Sequence, residues 1–343
     1  MSAVPPQLES PWPHRLAVVL CCATFPLIWI GGLVTTHEAG MAVPDWPNTY
    51  GYNLLLYPMS EWLNGPWNLF IEHGHRLFAV FTGLITIALT VTVWRTESRP
   101  WVRNAAIGVL GLVLLQGALG GMRVLFDART LAMIHGCTGP LFFMACVGMA
   151  VVTSRRWKQA NRAAAISTKD ESRLRNLMRL GWLTTGLSYL QLVIGAQLRH
   201  ISPMAHPSQS LVILGFHVLV ACLLVAQISY LAFKTVRHQR GDRWLSRPVY
   251  TVLGLIFLQF ALGVGTWVTN YGTPSCFTYV TEHAAHYTIS AGGPLQTNIT
   301  TAHVAVGSLI LVTLFCFSLR ATRRIWPTQA ASFARIAPVG ATA

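Results

Sequence analysis

Apolar runs of about 20 residues recur along the chain, each closed by charged or turn-forming residues, and that length spans a hydrocarbon core at 1.5 Å rise per residue. They predict eight membrane helices, at roughly 15–36, 68–94, 103–124, 130–153, 177–198, 207–234, 247–270 and 298–320. The first run is longer than a signal-peptide core and has no small-residue cleavage site after it, so it is expected to stay as a helix. The expected fold class is an all-α integral membrane protein.

Composition agrees. Of 343 residues, 53% are hydrophobic and 10% charged, against roughly 25% charged in a soluble domain. The net charge of +14 would suit a nucleic-acid binder, but its placement excludes that reading. Lys and Arg gather in alternate connections: Arg95 to Arg103, Arg155 to Arg179, Lys234 to Arg247, and the C-terminal segment. The other connections hold only Arg123, Arg129 and Arg199. This bias is the topology signal of a multi-pass cell (inner) membrane protein with both termini cytoplasmic, and its expected surroundings are lipid. Six of the seven cysteines fall inside predicted helices, and only Cys276 lies in an outer loop. With no CxxC pattern, neither a disulfide framework, a zinc site nor covalent haem attachment is expected.

The odd-numbered spans share a motif near their outer ends: Gln116 to Gly120, Gln191 to Gly195, Gln259 to Gly263, and a looser Leu27 to Gly31. Glycine lets neighbouring helices approach and glutamine bonds across them. The even-numbered spans each carry one histidine within their first turns: His75, His135, His217 and His303. All four spans enter from the outer side, so the imidazoles share one depth. The repeat divides the chain into an N-terminal four-helix half at 1–154, a cytoplasmic linker at 155–176, a C-terminal four-helix half at 177–324 and a tail at 325–343. The expected architecture is two pseudo-symmetric four-helix bundles. Ionisable groups in a bilayer are costly and tend to be functional, and two neutral imidazoles on facing helices are the arrangement that holds a haem iron in a bundle core. Two haems, one per half and toward the outer side, follow.

The halves differ beside one histidine. Glu72 stands three residues before His75, on the same helical face, where the other histidines have Ala132, Leu214 and Thr300. Only the first half places a carboxyl group next to its ligand, where it suits proton transfer or stabilisation of developing positive charge. Arg76 is placed to pair with Glu72 or with a haem propionate. The first half is expected to do chemistry and the second to carry an electron-transfer haem. The outer loop 37–67, with Asp45-Trp46-Pro47, is placed to lie over the first site, and loop 271–297 over the second.

Glu72-x-x-His75-Arg76, the histidines His135, His217 and His303, the Gln-x-x-x-Gly helices and the segment Gly40 to Pro47 resemble the haem A synthase family over nearly the whole chain. The resemblance implies oxidation of the C8 methyl of haem O to a formyl group by successive hydroxylations, giving haem A for terminal oxidases. It implies haem O as substrate facing His75 and His135 with Glu72 essential, and a haem b cofactor held by His217 and His303. A membrane enzyme that makes haem O, terminal-oxidase assembly and an unknown electron acceptor are the implied partners. Many members carry two cysteines around the Pro-Asp-Trp-Pro segment, where this chain has Val43 and Thr49; it is similar to the subgroup without them, which puts electron transfer through a loop disulfide in doubt. Two other readings use the same histidines: a di-haem b-type cytochrome that only transfers electrons, which gives Glu72 no role, and a haem-handling transporter or assembly factor.

Overall fold

The computed structural model describes residues 10–160, 168–202, 204–272 and 292–325. Among them the structure is helical, with no strand and a single bridge between Thr49 and Tyr52. The helices are α1 (Trp12–Thr36), α2 (Met59–Leu63), α3 (Trp67–Thr96), α4 (Pro100–Leu125), α5 (Arg129–Thr153), α6 (Arg155–Gln159), α7 (Thr168–Arg199), α8 (Pro207–Gln239), α9 (Arg243–Tyr271) and α10 (Pro294–Ile325). A short 3-10 turn, Ala39–Met41, follows α1.

Seven of these helices are long and apolar enough to cross a membrane, which makes the chain a multi-pass membrane protein. They coincide with seven of the eight expected spans. The expected fifth span falls within α7, which is also long. Its first turns carry Lys169, Asp170, Glu171, Arg173, Arg175 and Arg179, and its mean hydropathy is correspondingly low. The expected linker at 155–176 contains α6 and the start of α7, and residues 161–167 of it lie outside the described residues. Much of loop 271–297, with Cys276, lies outside them too, as does the tail beyond Ile325.

Local chemistry fixes several helix ends. Proline opens α4 and α8, where its missing N–H would have had no partner. The Ser154 hydroxyl accepts from the Trp157 N–H at 3.2 Å to start α6, and the Asp242 carboxylate accepts from Trp244 at 3.0 Å to start α9. Pro26 and Pro140 lie inside α1 and α5, a position membrane helices tolerate because neighbouring helices re-satisfy the freed carbonyls.

In packing, α1 meets α3 and α5, and α4 also meets both; α7 meets α8 and α10, and α9 also meets both. Across the middle, α1 and α5 meet α10, and α5 meets α7. Lipid is as apolar as leucine, so such contacts rest on close packing and polar links rather than on expulsion of water. Gly181 shows the close packing: a Cβ there would stand 2.9 Å from the Phe317 ring. The Thr185 and Ser318 hydroxyls, 3.1 Å apart, show the polar links. The apolar core lies at the end of the molecule away from the four histidines. One cluster includes Leu20, Leu89, Val93, Val102, Phe142 and Met149; another includes Ile228, Leu231, Leu245, Leu314 and Phe317.

Candidate functional site

Each of the four histidines faces a glycine on a neighbouring helix. A Cβ on Gly31 of α1 would lie 2.9 Å from Cε1 of His75 on α3. On Gly120 of α4 it would lie 3.4 Å from Cε1 of His135 on α5. On Gly195 of α7 it would lie 3.1 Å from Cε1 of His217 on α8, and on Gly263 of α9 it would lie 3.2 Å from Cε1 of His303 on α10. These are the glycines of the repeated motif. Its glutamines, one turn earlier on the same face, bond across the same interfaces. Gln116 Nε2 donates to Thr138 Oγ1 at 2.5 Å. Gln191 Nε2 donates to the His217 carbonyl at 2.9 Å and lies 3.2 Å from that ring's nitrogens. Gln259 Nε2 lies 3.3 Å from His303 Nε2. The glycine gives the imidazole room and the glutamine fixes its helix.

Two of the rings also approach each other. The His217 and His303 ring centroids are 6.4 Å apart with the planes at 60°. An imidazole nitrogen sits about 2 Å from a metal it ligates, which puts two rings on opposite sides of one metal with centroids roughly 6 Å apart. The His217–His303 separation fits that distance. The buried Nδ1 atoms of His75, His135 and His303 have no hydrogen-bond partner among the described residues, although buried polar atoms are nearly always paired. The His217–His303 pair therefore has the donor chemistry and spacing for a metal centre of the haem type, and His75 and His135 each keep a buried nitrogen without a partner among the described residues. Among the described residues no cluster of three or more His, Cys, Asp or Glu side chains offers a non-haem metal site.

Glu72 is buried one turn from His75. Its Oε1 accepts from Arg76 Nη2 at 2.7 Å and its Oε2 from the Val43 N–H at 2.9 Å. Arg76 also donates to the carbonyls of Val43 (2.8 Å), Asp45 (2.7 Å) and Asn48 (3.0 Å). Of the two partners that the sequence offers Arg76, the structure places Glu72 against it, with the outer loop. That loop lies over the first histidine pair: Trp46 packs on Gly121, next to the glycine that faces His135, and Arg123 donates to the Gly40 carbonyl at 2.5 Å.

His73 is an anchor for the loop that sequence reasoning passes over. It is buried, with Nδ1 hydrogen-bonded to Thr49 Oγ1 at 3.1 Å. Its ring centroid lies 5.1 Å from that of Tyr57 and 5.4 Å from that of Trp62. Glu72, His73 and Arg76 thus pin the loop to α3. All three anchors meet Val43 or Thr49, both fully buried. A run of aromatic residues in the loop is the only sequence signal for His73. Further along, the Asp45 carboxylate accepts from the Tyr50 and Gly51 N–H groups, each at 2.8 Å. Burial of Asp45 is outweighed by those bonds and by the nearby Arg76 charge, so its carboxyl sits below the ordinary range.

The helices and the facing histidines define a membrane protein with paired imidazoles inside its helical core. The profile of the COX15-CtaA family, cytochrome oxidase assembly proteins, matches residues 14–207, more than half of the chain, and the chain belongs to that family. The matched stretch contains Glu72, His75 and His135 and ends before His217. Among curated relatives, the chain is 31% identical over 172 residues to the heme A synthase of Methylorubrum extorquens, covering 47% of this chain and 44% of that one. It is 29% identical over 158 residues to the heme A synthase of Brucella ovis, covering 44% and 42%. The alignments span less than half the length of these relatives.

Proposed function

We propose that the chain carries haem A synthase activity: oxidation of the C8 methyl of haem O to a formyl group, giving haem A for terminal oxidases. The observation that carries the proposal is the asymmetry between two otherwise matched histidine sites. Both have glycine-backed imidazoles, and only the one at His75 has a buried carboxylate beside it. The names of the relatives support the reaction class.

In this reading α7 supplies the eighth span, and residues 1–154 and 177–324 form two matched four-helix halves. The equivalent contacts support this: α1 with α3 and α5 matches α7 with α8 and α10, and α4 with the same two matches α9. Both termini are cytoplasmic and both sites lie toward the outer side, as the basic connections indicate. His75 and His135 receive haem O as substrate, and His217 and His303 hold haem b. When bound, haem b supplies a one-electron redox centre through which electrons leave toward a separate acceptor. Gly31, Gly120, Gly195 and Gly263 leave room for the imidazoles that would hold the haems. Glu72 takes the proton released as the methyl carbon is oxidised, and Arg76 fixes that carboxylate. Arg76 serves the substrate haem through the loop it anchors, by its bonds to the carbonyls of Val43, Asp45 and Asn48. The haem O-producing membrane enzyme and oxidase assembly are the matching partners.

The test is extraction and chromatography of haems from membranes of cells supplied with haem O and expressing this chain. Haem A is expected; its absence while both haem sites are filled would refute the proposal. One observation favours a second reading, a di-haem cytochrome that only transfers electrons. Glu72 is fully engaged by Arg76 and the Val43 N–H, so it has a structural use without any chemistry. Glu72→Gln keeps a hydrogen-bonding side chain there and separates the two. The enzyme reading predicts loss of haem A at least tenfold, about 1.4 kcal/mol or more in the barrier, with both haems retained. The cytochrome reading predicts no change in redox spectra or turnover.

A further inference from the structure

The loop between α1 and α3 has a composition foreign to a water-exposed connection. From Tyr50 to Trp67 it reads YGYNLLLYPMSEWLNGPW, with five aromatic residues, a run of three leucines and one charge. Several of its apolar residues are exposed: Leu56 is 75% exposed, and Leu55, Met59, Leu63 and Trp67 are each more than half exposed. Met59 and Leu63, one turn apart in α2, lie on one face. The segment's single charge is Glu61.

Contacts with α3 fix the depth of this segment. Trp62 stacks on Phe70 with ring centroids 5.6 Å apart and donates from Nε1 to the Phe70 carbonyl at 3.0 Å. Both Trp62 and Tyr57 pack on His73. The segment therefore sits level with the first two turns of a 30-residue helix. Such a helix is about 45 Å long against a hydrocarbon core of about 30 Å, so roughly five residues at each end lie at headgroup level. Phe70 and His73 fall at the boundary between headgroups and acyl chains, where Trp and Tyr concentrate.

We propose that residues 54–63 form a monotopic interfacial element, with Leu55, Leu56, Met59 and Leu63 inserted into the outer boundary of the bilayer beside the first histidine pair. The partner is the phospholipid surface, recognised by apolar area rather than charge, in keeping with Glu61 as the segment's single charge. The inference rests on the spanning helices and the loop contacts, and holds whether or not haem O is the substrate.

Photocrosslinking tests it. Full-length protein carrying p-benzoylphenylalanine at position 56, 59 or 63 is reconstituted in phosphatidylcholine–phosphatidylglycerol vesicles, irradiated and analysed by mass spectrometry. Phe81, half exposed on the flank of α3, is the lipid-facing reference, and the exposed Asn53 the aqueous one. Phospholipid adducts at positions 56 and 59 are expected within about threefold of position 81 and roughly tenfold above position 53. Adducts no higher than at position 53, while position 81 reacts, would overturn the proposal. So would predominant crosslinking of positions 56 and 59 to a second copy of the chain.

Discussion

At Gly195 the absent side chain leaves room for the His217 imidazole, since a Cβ would already stand 3.1 Å from Cε1. Gly195→Leu adds three further carbons to that point and must push the ring off its axis. Displacing a ligand from behind costs about 10- to 100-fold in metal affinity. Haem retention at the second site, read from the haem-to-protein ratio after gel filtration, is expected to fall by that factor. Gly186→Leu on the same helix, where a Cβ meets nothing within 4 Å, is the control and is expected to leave retention unchanged. Equal losses in both variants would remove the special role of Gly195. At this scale much is legible in the sequence, because a glutamine and glycine one turn apart, repeated ahead of three of the four histidines, mark a surface built for close approach. What the sequence withholds is the partner: the motif reads as generic helix packing, and only the fold turns each glycine toward an imidazole.

The outer loop is the element whose structure pattern reading does not supply. Val43, Thr49, Tyr57 and Trp62 take their places by meeting Glu72, His73, Phe70 and Arg76. Such contacts have no period in the sequence. The spans, in contrast, follow from hydropathy alone, and their ends differ from expectation by a few residues where flanking prolines and polar residues extend the helices. The one span that departs is α7, where charged first turns and an apolar remainder share one continuous helix. His73→Ala tests the loop anchoring. It leaves the Thr49 hydroxyl without its partner and removes the ring under Tyr57 and Trp62, a loss of about 1–3 kcal/mol. The loop is then expected to open more often, and limited proteolysis within residues 37–66 to run at least about fivefold faster. An unchanged cleavage rate would show that Glu72 and Arg76 hold the loop by themselves.

For the molecule as a whole, the boundary between the two proposed halves brings both sites against α1. Gly31 faces His75, while a Cβ on Gly32 would lie 2.8 Å from Thr301 Cγ2, on the helix that carries His303. Thr36 and Thr301 share a hydrogen bond of 3.1 Å, and Arg199 donates to the Gly32 carbonyl at 2.7 Å and to the Thr36 hydroxyl. The charge bias and the four histidines announce an outer-side pair of sites in the sequence. That one helix meets both His75 and the helix carrying His303 is a fact of packing between distant segments. The central claim is that His75 with His135, and His217 with His303, each hold one haem iron. Low-temperature electron paramagnetic resonance of the loaded protein, with haem counted per chain, tests it in the wild type and in His135→Ala and His303→Ala. The account predicts low-spin iron with two imidazole ligands at each site, His135→Ala altering only the first signal and His303→Ala only the second. Both low-spin signals surviving both substitutions would contradict it.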